Sequence, residues 1–383
     1  MASNLSQDIA PFFVMDVLER AKELELRGKR VIHFEVGEPD IPTPKVICDE
    51  AIHAIENGDT KYTPSLGIPE LRTAIVESYQ ENYGVEIAPG RAVITMGSSP
   101  ALFLTLLSLV DPGDDVIITD PHYACYPKII RIAGAVPKLF RIYEEEDFQI
   151  DIPALKKIIT DNTKAILINS PSNPTGIVLD EEIIKEISEL GPFVISDEIY
   201  HGLVYGSEAH SIYQFTDKAF VVNGMSKLYS MTGWRLGYLL APEEFIRPIQ
   251  KLQQNLFISP NPFVQRAGVA ALKLAKEHVW EMVRLFSERR ELMIRGLRGL
   301  GFEIKAEPRG AFYVFVNATK LNHDSHDLAF DILEKAHVAV TPGIDFGLGG
   351  EGYLRFSYAT SIDCIEEGIR RLDSYLSNRL ASG

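Results

Sequence analysis

Apolar positions along this chain follow two alternating rhythms. From about residue 14 to residue 27, Val14, Val17, Leu18, Ala21 and Leu24 recur at the three- and four-residue spacing of one helix face. Further on, RAVIT, DVIIT, VPKLF, KAILIN, FVISD, AFVVN and LGYLLA are short apolar runs. Several are apolar at nearly every position, as parallel strands covered on both faces must be. Helical patterns such as ALFLTLLSL and EEIIKEISEL lie between them. This alternation predicts an α/β fold with a large, doubly wound, mostly parallel sheet.

The flanks read differently. VIHFEVGEPD is expected to be a short strand running into a loop, and Thr43-Pro44 to start a helix, with the threonine as cap. One long helical stretch is expected from about residue 263 to residue 300. After it the runs shorten to FEIKA, FYVFV, VAVT and YLRFSYA, with two helices among them. That change predicts a smaller α/β domain to which the N-terminal segment returns. The expected division is 45–284 for the large domain and 1–44 with 285–383 for the small one.

A chain of 383 residues is long enough for two such domains. Its 38 basic and 53 acidic residues leave a formal charge of −15, which disfavours nucleic acid and anionic membrane as partners. A small anionic ligand in a local basic pocket stays open. No run approaches the ~20 apolar residues of a membrane span. The start MASNLSQDIAPFF lacks the basic-then-apolar pattern of a signal peptide. Cys48, Cys125 and Cys364 are scattered and odd in number, so a reducing, cytoplasmic compartment is expected. The nine histidines make no ligand spacing, and no metal is expected.

The polar residues share one address. Gly97-Ser98-Ser99 follows RAVIT, Asn169 ends KAILIN, Asp197 ends FVISD, and Asn223 ends AFVVN just before Ser226-Lys227. In open α/β sheets, ligands bind outside the carboxyl ends of the strands. Free amides and hydroxyls at Ser98 and Ser99 could hold a phosphate, although an ordinary serine cap reads the same way. A buried Asp197 needs a cation or strong donors. A lysine held between buried strands has its pKa lowered and its lone pair freed, which suits amine chemistry. Tyr123 offers a ring face for stacking, with core packing as the plainer role. Arg355 sits among apolar neighbours on a strand, where an edge-strand charge would be the plain reading.

Taken together, the motifs resemble the fold type I, pyridoxal-phosphate-dependent aminotransferases of class I and II. In order they are VGEPD (36–40), KYTPSLGIPELR (61–72), TMGSSPAL (95–102), NSPSNPTG (169–176), SDEIY (196–200), SKLYSMTGWRLGY (226–238), TPGIDFG (341–347) and LRFSYA (354–359). The resemblance covers nearly the whole chain. It implies that Lys227 holds pyridoxal 5′-phosphate covalently, that Asp197 pairs with the ring nitrogen, and that Tyr200 and Asn173 reach the ring's phenolic oxygen. Tyr123 would stack on the ring, and Ser98, Ser99, Ser226 and Arg235 would hold the phosphate. Arg355 would grip the substrate α-carboxylate, with Asn173 and Gly37 lining the substrate pocket. Tyr62 would reach the partner subunit's phosphate, which implies a homodimer with shared sites.

The implied reaction is transfer of an amino group from an L-amino acid to a 2-oxo acid, with 2-oxoglutarate expected as acceptor. A carbon–sulfur β-lyase would carry nearly the same residues, and a non-catalytic sensor of the same fold is a third reading. Some bacterial aspartate aminotransferases of this branch have a lysine in the phosphate loop that reads the distal carboxylate. Here that position is Ser99, followed by Pro100. A neutral or apolar substrate side chain is therefore at least as well accommodated, with Phe13, Val14 and Tyr126 as candidate pocket residues.

Overall fold

The computed structural model describes residues 3, 6–7 and 9–382. Its strands are β1 (Ile32–His33), β2 (Ala92–Thr95), β3 (Asp115–Asp120), β4 (Val136–Arg141), β5 (Thr163–Asn169), β6 (Phe193–Asp197), β7 (Ala219–Gly224), β8 (Gly237–Leu240), β9 (Tyr313–Asn317), β10 (Val338–Ala339), β11 (Thr341–Pro342) and β12 (Tyr353–Ser357). The fold is α/β, as the alternation predicts.

Seven strands form one sheet in the order β2-β8-β7-β6-β5-β3-β4. β8 runs antiparallel to both its neighbours, and the other pairs are parallel. The inner strands are buried on both faces. Val194 and Ile195 of β6, and Phe220, Val221 and Val222 of β7, are almost fully excluded from water. That explains why their sequences show no alternation. β4 is an edge strand, and it carries Pro137 and Lys138, residues that blunt an edge. The helix Ser98–Leu109 is apolar on almost every side because it lies between this sheet and the helix Glu243–Leu256.

The remaining strands make a second framework. β11, β12 and β9 form an antiparallel sheet, and β1 pairs in parallel with β10. Through β1, residues near the N-terminus join the C-terminal third of the chain. The helix Phe13–Leu26 follows the predicted periodicity and buries Val14, Val17, Ala21 and Leu24.

Three expectations are corrected. The stretch 263–300 is two helices, Pro262–Leu274 and Lys276–Gly299, parted at Ala275. No glycine or proline marks the break. Instead, the first helix packs on Lys45–Glu56 and Pro69–Tyr83, while the second packs on Ile362–Ser382 and β9. Thr43 does not cap its helix. The helix begins at Lys45 without a side-chain cap, and the Thr43 hydroxyl donates to the Ser230 carbonyl (2.5 Å) and accepts from Trp234 Nε1 (3.0 Å). FEIKA buries Phe302, Ile304 and Ala306 in strict alternation, yet only Glu303 forms a bridge, to Asn317. The period was right, but the segment lacks a partner strand to build a ladder on.

Candidate active site

Four strand ends of the large sheet do converge. β2 leads into Gly97, whose φ of +102° precedes the helix Ser98–Leu109. A side chain at Gly237 of β8 would collide with the Gly97 backbone (2.4 Å) and the Ser98 nitrogen (2.6 Å), so glycine lets strand and loop touch. A Cβ at Gly97 would likewise meet Arg235 Nη2 at 2.6 Å. The Arg235 guanidinium therefore lies against the start of a helix whose first amides lack intrahelical acceptors. Arg235 itself is exposed, has a φ of +55° and donates to the Thr232 carbonyl (2.9 Å).

Asp197, at the end of β6, is buried. Its Oδ2 accepts from the Tyr126 hydroxyl (2.6 Å) and its Oδ1 from the Ile199 amide (3.2 Å). Burial raises its pKa to about 6, and the two donors only partly oppose this. No ion pair to Asp197 is present among the described residues, so a buried carboxylate faces the crevice without a cation in contact. Asn169, at the end of β5, holds the strand ends together. Its amide donates to the Asp197 carbonyl (3.0 Å), and its oxygen accepts from the Asn173 amide (2.8 Å).

Lys227 follows β7. Its ammonium donates to the Gly37 carbonyl (2.7 Å) across the cavity. Burial lowers its pKa to about 8; Glu38 and Asp197 counter that effect, and Arg355 and Arg235 add to it. Gly37 has no room for a side chain, because a Cβ there would meet the Tyr313 hydroxyl at 2.0 Å.

Arg355 comes from the second framework. β12 is the central strand of its sheet and Arg355 is 4% exposed, which overturns the edge-strand reading. Its Nη1 donates to Asn173 Oδ1 (2.9 Å), and its Nη2 donates to the Glu35 carbonyl (2.5 Å) and Thr341 Oγ1 (3.0 Å). Its guanidinium lies over the rings of Tyr313 (4.3 Å) and Phe346 (4.9 Å). Its Nε is buried with no acceptor. A cation so rigidly held, with an open donor, is prepared for an anion.

These groups line a cavity of about 370 Å³. Of the predicted site residues, Gly37, Ser98, Ser99, Tyr123, Asn173, Asp197, Tyr200, Lys227 and Arg355 line it. Ser226 is buried and Arg235 is exposed, and neither is in this lining; Arg235 lines a neighbouring depression with Glu38 and Thr232. Tyr62 is 82% exposed and also stands apart from the lining. Tyr200 turns its hydroxyl to that of Tyr313 (2.9 Å).

Sequence reasoning gave Tyr126 only as a pocket candidate and missed its bond to Asp197. The signal was the Tyr123–Tyr126 spacing, which brings the rings to 5.3 Å. Tyr313 and Glu38 were missed altogether; Tyr313 is hidden in the apolar run FYVFV. Phe13 does not line the cavity but packs on His326 (5.1 Å), while its neighbours Phe12 and Val14 do line it.

The chain as a whole is similar to known proteins. The family model for aminotransferase class I and II matches residues 29–372. A Methanocaldococcus jannaschii protein named (5-formylfuran-3-yl)methyl phosphate transaminase is 44% identical, over 98% of this chain and all of its own. Among solved structures, a Thermus thermophilus aspartate aminotransferase with maleate superposes with a TM-score of 0.94 at 34% identity, covering 98% of this chain and 99% of that one. A Methanococcus jannaschii protein described as similar in its active site to kynurenine aminotransferases superposes with a TM-score of 0.92 at 43% identity, covering 98% and 100%.

Proposed function

Because the chain belongs to the aminotransferase class I and II family, we propose that its cavity binds pyridoxal 5′-phosphate and passes the amino group of an L-amino acid to 2-oxoglutarate. The observation that carries this is a juxtaposition. One cavity holds a buried amine with its pKa lowered to about 8, a buried carboxylate raised to about 6, and a fixed guanidinium.

The residues present fit the cofactor. Asp197 lacks a cation, and a protonated ring nitrogen is one. The loop of Ser98 and Ser99, with Arg235 beside it, offers amides, hydroxyls and a positive charge to a phosphate, and the Ser226 hydroxyl is assigned to the same group. Tyr123 supplies the stacking face, and Tyr200 with Asn173 supplies polar atoms for the phenolic oxygen. When bound, the cofactor supplies an electron sink for the charge left on Cα after proton loss. The rest falls to the chain. Arg355 binds the α-carboxylate and, together with Asn173 and Gly37, fixes which substrate bond stands next to Lys227. Lys227, whose burial lowers its pKa to about 8 and so eases loss of its own proton, takes the Cα proton and returns it as an acid. Tyr126 and the Ile199 amide hold the Asp197 carboxylate in place. Donor and acceptor use one site in turn, so the kinetics are ping-pong.

We further propose that residues 45–284 act as a large domain, and that 1–44 with 285–383 act as a small one carrying Arg355. In this reading Tyr62 serves the partner subunit's phosphate within a homodimer, and the protein works in the cytoplasm. In support, Tyr62 is exposed and the three cysteines are unpaired. Among the described residues, no helix is long and apolar enough to cross a membrane.

A single-turnover assay tests the function. The cofactor-loaded protein, given an amino-acid donor without acceptor, should release one equivalent of 2-oxo acid per site and then stop until 2-oxoglutarate is added. Continuous release of oxo acid and ammonia without an acceptor would instead identify a lyase.

A further inference from the structure

Much of the apolar lining of the cavity comes from one short segment. Phe12, Val14, Met15 and Leu18 all face the cavity, and Val36 adds to them. Val14 and Leu18 are one helical turn apart, as are Met15 and Leu18, so a single helix face presents an apolar surface. The segment is held firmly in place. The amides of Phe13 and Val14 donate to the two oxygens of Asp345, each at 3.1 Å. This carboxylate, 331 residues away in sequence, does the work of a helix cap and complements the helix dipole. Lys128 donates to the Pro11 carbonyl (2.9 Å) and lies over the Phe12 ring (5.5 Å). Phe12 in turn meets Tyr123 edge-on at 6.3 Å.

The charges in the lining tell the same story. Its cations are Lys227 and Arg355, and its anions are Glu38 and Asp197. Lys227 is taken by the reaction and Arg355 by the α-carboxylate. Position 99, in the phosphate loop, is serine. Lys128, which lies over the Phe12 ring, is tied to Pro11 and is not in the lining. A second carboxylate on the substrate would meet an apolar wall, and burying it unpaired is costly. An apolar side chain would bury its surface there.

From the Proposed function as premise, we propose that residues 12–18 are the specificity wall of this site and select amino acids with uncharged, apolar side chains. The test uses the cofactor-loaded protein in two arms. In the first, single-turnover rates are compared for phenylalanine, leucine, alanine, aspartate and glutamate. The apolar donors should lead the acidic ones by about tenfold or more in kcat/KM. In the second, calorimetry measures binding of two analogues with no amino group, 3-phenylpropanoate and succinate. The former should bind more tightly, and Met15→Arg, a change at a 45% exposed residue, should narrow or reverse the order.

If aspartate leads and succinate binds more tightly in the unaltered protein, the proposal is overturned; a cation from the partner subunit would then serve the site. It is also overturned if Met15→Arg, still folded and cofactor-bound, leaves both affinities unchanged. If no amino acid yields an oxo acid, the transaminase reading fails instead, and the binding arm still ranks the two analogues.

Discussion

The two sides of this cavity are built on different plans. The side facing the large sheet takes its chemistry from strand ends, Asp197 from β6 and Lys227 from just beyond β7, on neighbouring strands. The other side is assembled from remote segments. Arg355 on β12, Gly37 after β1 and the Phe12–Leu18 wall share no local sequence; Arg355 is bonded to the Glu35 carbonyl and to Asn173, and the wall to Asp345. The first plan fixes a reactive pair by backbone ladders buried on both faces. The second fixes binding surfaces by side-chain hydrogen bonds across the gap. Chemistry is therefore expected to respond sharply to changes on the sheet side, and affinity and selectivity to changes on the other.

The largest effect should come from joining the two sides across subunits. Lys227→Ala should lower kcat by about 10⁴-fold, the upper range for loss of a general acid–base group. Tyr62→Phe should weaken cofactor retention at the partner's site. Mixing the two variants should give dimers with one intact site, and activity above either parent in a steady-state assay. No recovery would mean that each subunit completes its own site.

A smaller loss is expected from Arg355→Lys. The charge stays, but the fork that donates to Asn173, Glu35 and Thr341 and stacks between Tyr313 and Phe346 is gone. The kcat/KM should fall about 10- to 100-fold, mostly through KM. A fall confined to kcat would place Arg355 on the chemical side and break the contrast.

An effect outside turnover is one of stability. Asp197 has a folded pKa of about 6, raised from 3.8 by burial. A carboxyl raised in this way favours the folded state at low pH and loses that contribution as pH rises through 6. In the cofactor-free protein, Asp197→Asn should therefore stabilise by on the order of 2–3 kcal/mol at pH 8 and very little at pH 4. Urea denaturation at the two pH values reads the difference. Equal effects at both would show that the carboxylate is already neutralised.

The same contrast explains what could be read from the sequence. Six strands of the large sheet were legible because strands buried on both faces leave apolar runs, and the exposed edge strand β4 was legible only from Val136, Leu139 and Phe140; the polar ends of the buried strands stood out against them. Lys227, Asp197 and Ser98 were found in this way. On the other side the signals are weak. Arg355 looked like an edge charge because nothing local reveals that β12 is central. Tyr313 sits inside an apolar strand run. Phe12 and Phe13 are adjacent aromatics, and only the Asp345 contacts decide which one faces the cavity. FEIKA had the right period and no partner, and the break at Ala275 answers to packing on two layers rather than to a breaker residue.

The central claim is that Lys227 is the amine to which pyridoxal 5′-phosphate attaches. The direct measurement is borohydride reduction of the protein incubated with the cofactor, followed by proteolysis and peptide mass spectrometry. The account predicts a single phosphopyridoxyl addition, on Lys227, abolished by Lys227→Ala in a protein that still folds. An addition on another lysine, or none, would contradict it.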